Sequence, residues 1–236
     1  KNCTEIEKVI NTAPEADIHI LPETFNTGFA IDKTLAETMD GPTVNWMLSV
    51  AKKHQSVVCG SLLIRSSRKT FNRFIWAQPN GELFSYDKRH LFSLAKEETQ
   101  FDKGNKQIII SYLGWNIRPL VCYDLRFPVW SRNDENTDLM IYVANWPKPR
   151  IEAWKVLLRA RAIENQCFVV GVNRTGTDPS GMTYTGQSAV ISPMGDTLCA
   201  LQENVTAMCI EIDYTQLETI REKISFQKDR DSFSID

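Results

Sequence analysis

The chain has 236 residues, of which 42% are hydrophobic, and 27 Lys and Arg against 29 Asp and Glu leave a net charge of −2. That is apolar material for one sizeable core, which predicts a single domain over residues 1–236. No block of like charge runs long enough to follow a phosphate backbone, no apolar run approaches the ~20 residues of a membrane span, and no signal peptide is visible, so nucleic acid and membrane are excluded as expected partners.

The chain opens at Lys1 and runs directly into Glu5-Ile6-Glu7-Lys8-Val9-Ile10. This predicts a short amphipathic helix over 2–13, stopped by Pro14, with a first strand missing ahead of it. Asp17 to Leu21 reads as a buried strand ended by Pro22-Glu23, and Asn26 to Asp40 as loop. Pro42 to Lys53 has helical period, with Val44, Met47, Leu48 and Ala51 on one face. Val57 to Ile64, Phe71 to Ala77 and Leu83 to Tyr86 read as strands, the last two joined by the hairpin signal Gln78-Pro79-Asn80-Gly81. Lys88 follows at once. Ile108 to Tyr112 and Ile117 to Val121 are two further strands divided by Leu113-Gly114, and Cys122 sits where the second stops.

Leu139 to Ala144 is an apolar strand running into Asn145-Trp146-Pro147, and Ile151 to Gln166 is the longest predicted helix. Strands follow at Phe168 to Val172, Ala189 to Ser192, Thr197 to Leu201 and Ala207 to Ile212, then a helix at Leu217 to Ile224. Hairpins mixed with helical crossovers point to an α/β protein with mixed sheets. Six cysteines without a C-x-x-C and three histidines without zinc-ligand spacing predict a reduced, cytosolic, metal-free protein. In that setting the sequons at Asn2, Asn173 and Asn204 carry no meaning.

Chemistry collects at strand tips. Cys122 ends a buried strand, and Pro128 disfavours both strand and helix just beyond it. A thiol placed there can face a cleft, with the following amide N–H groups pointing the same way. Glu23 lies in a stiff apolar setting, and Lys88 is flanked by aromatics; partial burial would suit them as general base and fixed charge. Singly, each has a plainer reading, since free cysteine is usually a small buried hydrophobe and acids and lysines after strands are usually solvated.

Together the stretches are specific. L-P-E-x-F at Glu23, Y-D-K-R-H-L-F at Lys88 and V-C-Y-D-L-R-F-P at Cys122 resemble, in order and spacing, the Glu-Lys-Cys signature of the nitrilase, or carbon–nitrogen hydrolase, superfamily. The resemblance continues through Ala144-Asn145-Trp146-Pro147, the helix end from Arg159 to Gln166, and Gly186 to Ile191. F-P-V-W-S-R-N and A-N-W-P-x-P-R most resemble the bacterial ω-amidases that act on 2-oxoglutaramate. The resemblance implies a four-layer α-β-β-α sandwich of the nitrilase type with two mixed sheets, a homodimer, a small-molecule amide substrate and no cofactor. It implies Cys122 as nucleophile, Glu23 as base, Lys88 and the Tyr123 N–H as oxyanion holders, and a second glutamate near the lysine, for which Glu97 is favoured over Glu98. Lys88→Met is accordingly expected to lower kcat far more than stability.

For a substrate's free carboxylate the candidates are Arg126 and Arg150, with Phe29, Phe127 and Trp146 as walls, since arginine suits bidentate carboxylate recognition. Arg126 could equally pair with Asp124. Other readings are an amidase for deaminated glutathione or an N-carbamoyl amino acid, a true nitrilase, and a non-catalytic scaffold of the same fold. A papain-like Cys–His site would need His90 or His54 as base, and neither has a neighbouring Asn or Asp in sequence that convincingly orients it.

Overall fold

The computed structural model describes residues 2–133, 136–201 and 205–235; Lys1 and Asn204 lie outside them. In chain order the described elements are α1 (Asn2–Thr12), β1 (Ile18–Ile20), α2 (Pro42–His54), β2 (Val57–Ser66), β3 (Lys69–Ala77), β4 (Leu83–Asp87), β5 (Ile110–Tyr112), β6 (Trp115–Val121), β7 (Leu139–Ala144), α3 (Ile151–Asn165), β8 (Phe168–Asn173), β9 (Thr175–Thr177), β10 (Thr183–Thr185), β11 (Ala189–Ile191), β12 (Thr197–Ala200) and α4 (Tyr214–Lys223).

Two mixed sheets form the centre. One has the order β1-β2-β3-β4, with β1 parallel to β2 and the rest antiparallel; the other runs β12-β11-β8-β7-β6-β5, with β6, β7 and β8 parallel and the flanking pairs antiparallel. Successive side chains of a strand point to opposite faces, and β2 shows what each face meets. Val57 and Cys59 join Phe74 and Trp76 against Leu120, Val121 and Ile141 of the second sheet. Val58, Leu62 and Ile64 join Val44, Met47 and Ala51 of α2 and Ile10 of α1. β2 is buried on both faces, which is why its sequence is a continuous apolar run rather than an alternating one. On the far side, Trp154, Leu158 and Ala162 of α3 close over β8. Gly171 makes that approach possible, because a Cβ there would lie 2.5 Å from Leu158 Cδ1 and 2.7 Å from Trp154 Cζ2. The layers are therefore helix, sheet, sheet, helix, the α-β-β-α sandwich expected.

One expected strand does not form. Residues 207–212 form no assigned strand: Met208, Ile210 and Ile212 are half-buried in alternation, but the backbone has no ladder partner among the described residues. Conversely, the antiparallel hairpin β9–β10 was not foreseen. β9 is exposed along its length and its sequence is Thr-Gly-Thr, so hydrophobic periodicity carries no signal there. Of the sequons, Asn173 is buried and its amide nitrogen already donates to the carbonyls of Trp146 at 2.9 Å and Gly186 at 2.7 Å. Among the described residues no helix is long and apolar enough to cross a membrane, and no group of histidine, cysteine and acidic side chains is placed to hold a metal ion.

Candidate active site

β6 ends at Val121, and Cys122 begins a 3-10 turn with φ +44°, in the left-handed region that non-glycine residues rarely occupy. Such a residue costs about 1–3 kcal/mol and persists only where its surroundings hold it. Here the buried Asp124 accepts the Val121 N–H at 3.1 Å and pins the start of the turn. A second strained residue stands opposite. Thr24, β-branched and at φ +42°, follows Glu23 at the tip of β1. Its N–H donates to Ser61 Oγ at 2.9 Å, its hydroxyl donates to the Gly28 carbonyl at 2.9 Å, and the Asn145 side chain donates to that hydroxyl at 3.0 Å.

These turns bring Glu23, Lys88, Glu97 and Cys122 together, although they span a hundred residues of sequence. Lys88 Nζ donates to Glu23 Oε1 at 3.0 Å and to Glu97 Oε1 and Oε2 at 3.1 and 2.9 Å, and all three side chains are at most 1% exposed. Glu97 also accepts the Phe92 N–H at 2.6 Å. Of the two adjacent glutamates, Glu97 is the one turned inward: it is the buried residue at the head of the 3-10 turn Glu97–Thr99, while Glu98 is exposed. Burial opposes the Lys88 charge, but the carboxylates of Glu23 and Glu97, with Cys122, override it and hold the ammonium well above its usual range. Burial pushes the Cys122 thiol well up, reinforced by the charge of Glu23 and by a hydrogen bond to it, and Lys88 offsets this only in part.

Two asparagines complete the cluster, and sequence reasoning did not assign either a role. Asn72, on β3, donates to Glu23 Oε1 at 2.8 Å, and its carbonyl accepts the Lys88 N–H at 2.9 Å. Asn145, past the tip of β7, gives Glu23 Oε2 its backbone N–H at 2.7 Å and its side-chain amide at 3.3 Å, and the same amide reaches the Glu23 carbonyl at 3.0 Å. A strand-tip asparagine looks like loop in sequence; its burial could have been suspected only from the Asn-Trp-Pro run.

Lys88 and Cys122 lie on the wall of a cavity of about 190 Å³, below the ~300 Å³ of the smaller typical ligand pockets. Phe29, Arg126, Trp146 and Arg150, nominated from the sequence, line it, joined by Tyr123 and by residues not anticipated: Phe92, Ala95, Asn145, Pro147 and, from the β9–β10 hairpin, Asp178, Ser180, Met182 and Tyr184. Asp178 shapes the hairpin tip, accepting from Ser180 N–H at 2.9 Å, Met182 N–H at 3.1 Å and Tyr184 O–H at 3.0 Å.

Phe127 does not line the cavity. In a 3-10 turn residues three apart share a face, so Tyr123 and Arg126 point inward together and Phe127 turns away. It stacks flat on His90, centroids 3.7 Å apart. Arg126 does not pair with Asp124 either: that carboxylate is taken by Val121 N–H, Tyr86 O–H and His90. Arg126 instead stacks over Trp146 at 4.8 Å and Arg150 over Phe92 at 5.3 Å, and among the described residues neither is ion-paired. His90 does have an orienting acid, Asp124 Oδ1 at 2.8 Å, contrary to the sequence reading, because sheet packing supplies a partner 34 residues away. It is nevertheless absent from the cavity wall, and His54 is half-buried at the end of α2, bonded to Asn11.

The profile of the carbon-nitrogen hydrolase family matches residues 1–222. Omega-amidase YafV of Escherichia coli (strain K12) is 40% identical over 235 residues, 99% of this chain and 92% of that protein. The 2-oxoglutaramate amidase of Bacillus subtilis (strain 168) is 34% identical over 215 residues, 89% of this chain and 83% of that one. Among solved structures, XC1258 from Xanthomonas campestris, a CN-hydrolase superfamily protein with an arsenic adduct in its active site, superposes with TM-score 0.96 at 41% identity, covering 100% of this chain and 92% of that one. Nit3 of Saccharomyces cerevisiae shares the fold, with TM-score 0.83 at 23% identity over 94% of this chain and 86% of that one.

The burial of Lys88 revises the expected effect of its loss. Lys88→Met leaves two buried carboxylates without their cation, a change that costs about 3–5 kcal/mol, so stability falls together with any activity. A lysine whose folded pKa is raised contributes stability that is present below its unfolded value and is lost as pH rises through the folded one. In urea unfolding the gap between wild type and Lys88→Met is therefore expected to hold constant through neutral pH and to shrink only above the ordinary lysine value of 10.5.

Proposed function

The chain belongs to the carbon–nitrogen hydrolase family, and on that footing we propose that it is an amidase releasing ammonia from the terminal carboxamide of a short 2-oxo dicarboxylic acid monoamide of the 2-oxoglutaramate type. The observation that carries this reading is a thiol on the wall of a small cavity beside a buried lysine that is paired to the buried Glu23, with two guanidiniums on the same wall that have no carboxylate partner among the described residues.

Cys122 Sγ attacks the amide carbonyl while its proton passes to Glu23. Because burial and Glu23 hold the thiol well above its usual range, the resting group is the neutral thiol, and proton transfer belongs to the attack rather than preceding it. The oxyanion is held by Lys88 and the backbone N–H of Tyr123; removing one such donor typically costs about 10²–10³ in kcat. Glu23 returns the proton to the departing nitrogen, ammonia leaves, and a thioester remains. Water, giving its proton to Glu23, then hydrolyses the thioester and frees the thiol. The sum is amide plus water to acid plus ammonia, with no change of oxidation state. Glu97 holds Lys88 between two carboxylates. Arg126 and Arg150 take the substrate's free carboxylate, and Phe29, Tyr123 and Trp146 close over its short carbon chain. The small cavity favours an acyl group of a few carbons.

The reading includes a homodimer, for which Val156 and Ile163, seven residues apart on α3, and nearby Val129 offer exposed apolar surface, and a reducing cytoplasm, which six free thiols suit. Sedimentation equilibrium is expected to give twice the chain mass; a monomer at micromolar concentration removes the dimer.

Ammonia release is expected from 2-oxoglutaramate and not from glutamine or a simple nitrile, and Cys122→Ala is expected to abolish it. Activity retained in that variant removes Cys122 as nucleophile, and silence on all three substrates moves the reading to another acyl group. Arg126→Ala and Arg150→Ala are each expected to raise KM about 10- to 100-fold, the worth of one charge-assisted hydrogen-bonded contact, with kcat changed less; an unchanged KM in both takes the carboxylate elsewhere.

A further inference from the structure

A second buried polar cluster adjoins the site without entering it. Asp124 is fully buried, and its carboxylate accepts four donors. Val121 N–H and Tyr86 O–H reach Oδ2 at 3.1 and 2.7 Å, while the N–H and ring Nδ1 of His90 reach Oδ1 at 3.0 and 2.8 Å. The Tyr86 oxygen in turn accepts Trp130 Nε1 at 2.9 Å and the Arg89 N–H at 3.2 Å. Tyr86 lies two residues before Lys88 and His90 two after it; Val121 immediately precedes Cys122. The segment carrying Lys88, delivered by the first sheet, is therefore tied on both sides to the acid within the turn that carries Cys122, delivered by the second.

We propose that the His90–Asp124 pair is a positioning device that fixes the distance between Lys88 Nζ and Cys122 Sγ. Asp124 serves as the acceptor in this contact, so His90 Nδ1 carries the hydrogen and donates it in either charge state of the ring. The flat stack on Phe127 fixes the plane of the imidazole whose Nδ1 lies 2.8 Å from Asp124 Oδ1. Neither residue touches the cavity, so the pair acts through Lys88 and Cys122. The constraint matters because oxyanion stabilisation depends on donor placement, and a shift of ~1 Å costs about 100-fold in rate. Asn145 ties the second sheet to Glu23 and Thr24 beyond β1, but the Lys88 segment beyond β4 is tied to the Cys122 turn by the four donors on Asp124, which resist sliding there.

This inference rests on the roles given above to Cys122 and Lys88, and the test separates the two: retained activity in Cys122→Ala defeats those roles, whereas the variants below defeat only the device. His90→Ala, His90→Asn and Tyr86→Phe are compared with wild type by steady-state ammonia release from 2-oxoglutaramate, by the rate of iodoacetamide labelling of Cys122 and by thermal unfolding. His90→Ala is expected to lower kcat about 10- to 100-fold with KM within about threefold, and to change the labelling rate of Cys122. His90→Asn, whose side-chain amide stands where Nδ1 does, is expected to recover about tenfold of that loss. A folded His90→Ala protein within about twofold of wild type in kcat overturns the proposal, and so does an asparagine variant no better than the alanine one. If His90→Ala does not fold, Tyr86→Phe decides: it removes one donor from Asp124, and a loss of about threefold or more in kcat at unchanged KM supports the device, while an unchanged kcat overturns it.

Discussion

The structure depends on one buried ion cluster, Glu23 and Glu97 around Lys88. Removing each of these charges from water costs several kcal/mol after relaxation, so the cluster stands only because its geometry is nearly saturated. Lys88 spends its donors on the two carboxylates. Glu23 takes further donors from Asn72 and from the backbone and side chain of Asn145, and Glu97 takes the Phe92 N–H. Two carboxylates against one ammonium leave a formal excess of negative charge, and these amide donors are what offset it. Burial, reinforced by the negative charge of Glu23, explains the thiol, since a thiolate would add a further negative charge away from solvent. Cys122 therefore stays protonated until a substrate carbonyl gives the electron pair somewhere to go.

Placing these groups requires backbone that the local sequence does not favour. Thr24 and Cys122 are both left-handed, Thr24 four residues past β1 and Cys122 directly after β6, and each stretch is held by side-chain hydrogen bonds. Ser61 and Asn145 hold Thr24, and Asp124 holds the turn at Cys122. Strain of about 1–3 kcal/mol per residue is sustained because it aims Glu23 and Cys122 at one point between the sheets. The sandwich makes such over-determination possible, since strand tips from both sheets converge there while the helices cover the outer faces.

The cavity divides its labour by element. The inter-sheet tips supply the thiol, the lysine and Asn145, and the 3-10 turns beyond β6 and β7 supply Arg126 and Arg150, stacked on Trp146 and Phe92. The contact with the rings holds both guanidiniums at the wall, and among the described residues neither is ion-paired. The β9–β10 hairpin closes the remaining side with Met182 and Tyr184, its tip organised by Asp178.

Much was legible in the order of residues alone. Apolar periodicity located both layers of helix and most strands, because each face of an element must meet a core or water and the spacing of its side chains records which. The three chemical stretches stood at strand ends, and Arg126, Arg150, Phe29 and Trp146 lay near enough to Cys122 or its neighbours in the motif to be nominated. What depended on contacts between distant segments was not legible. The donors Asn72 and Asn145, the exclusion of Phe127 from the cavity and the partner of His90 were all decided when the two sheets met. The polar hairpin at Thr175–Thr185 was missed because it buries too little to leave a periodic trace, and the 207–212 segment was over-read because alternation marks a strand only when a partner strand supplies its hydrogen bonds. Composition and spacing determined which side chains were available to react; the tertiary structure alone decided which of them share a buried site, because burial and pairing are properties of the space between elements and not of either element.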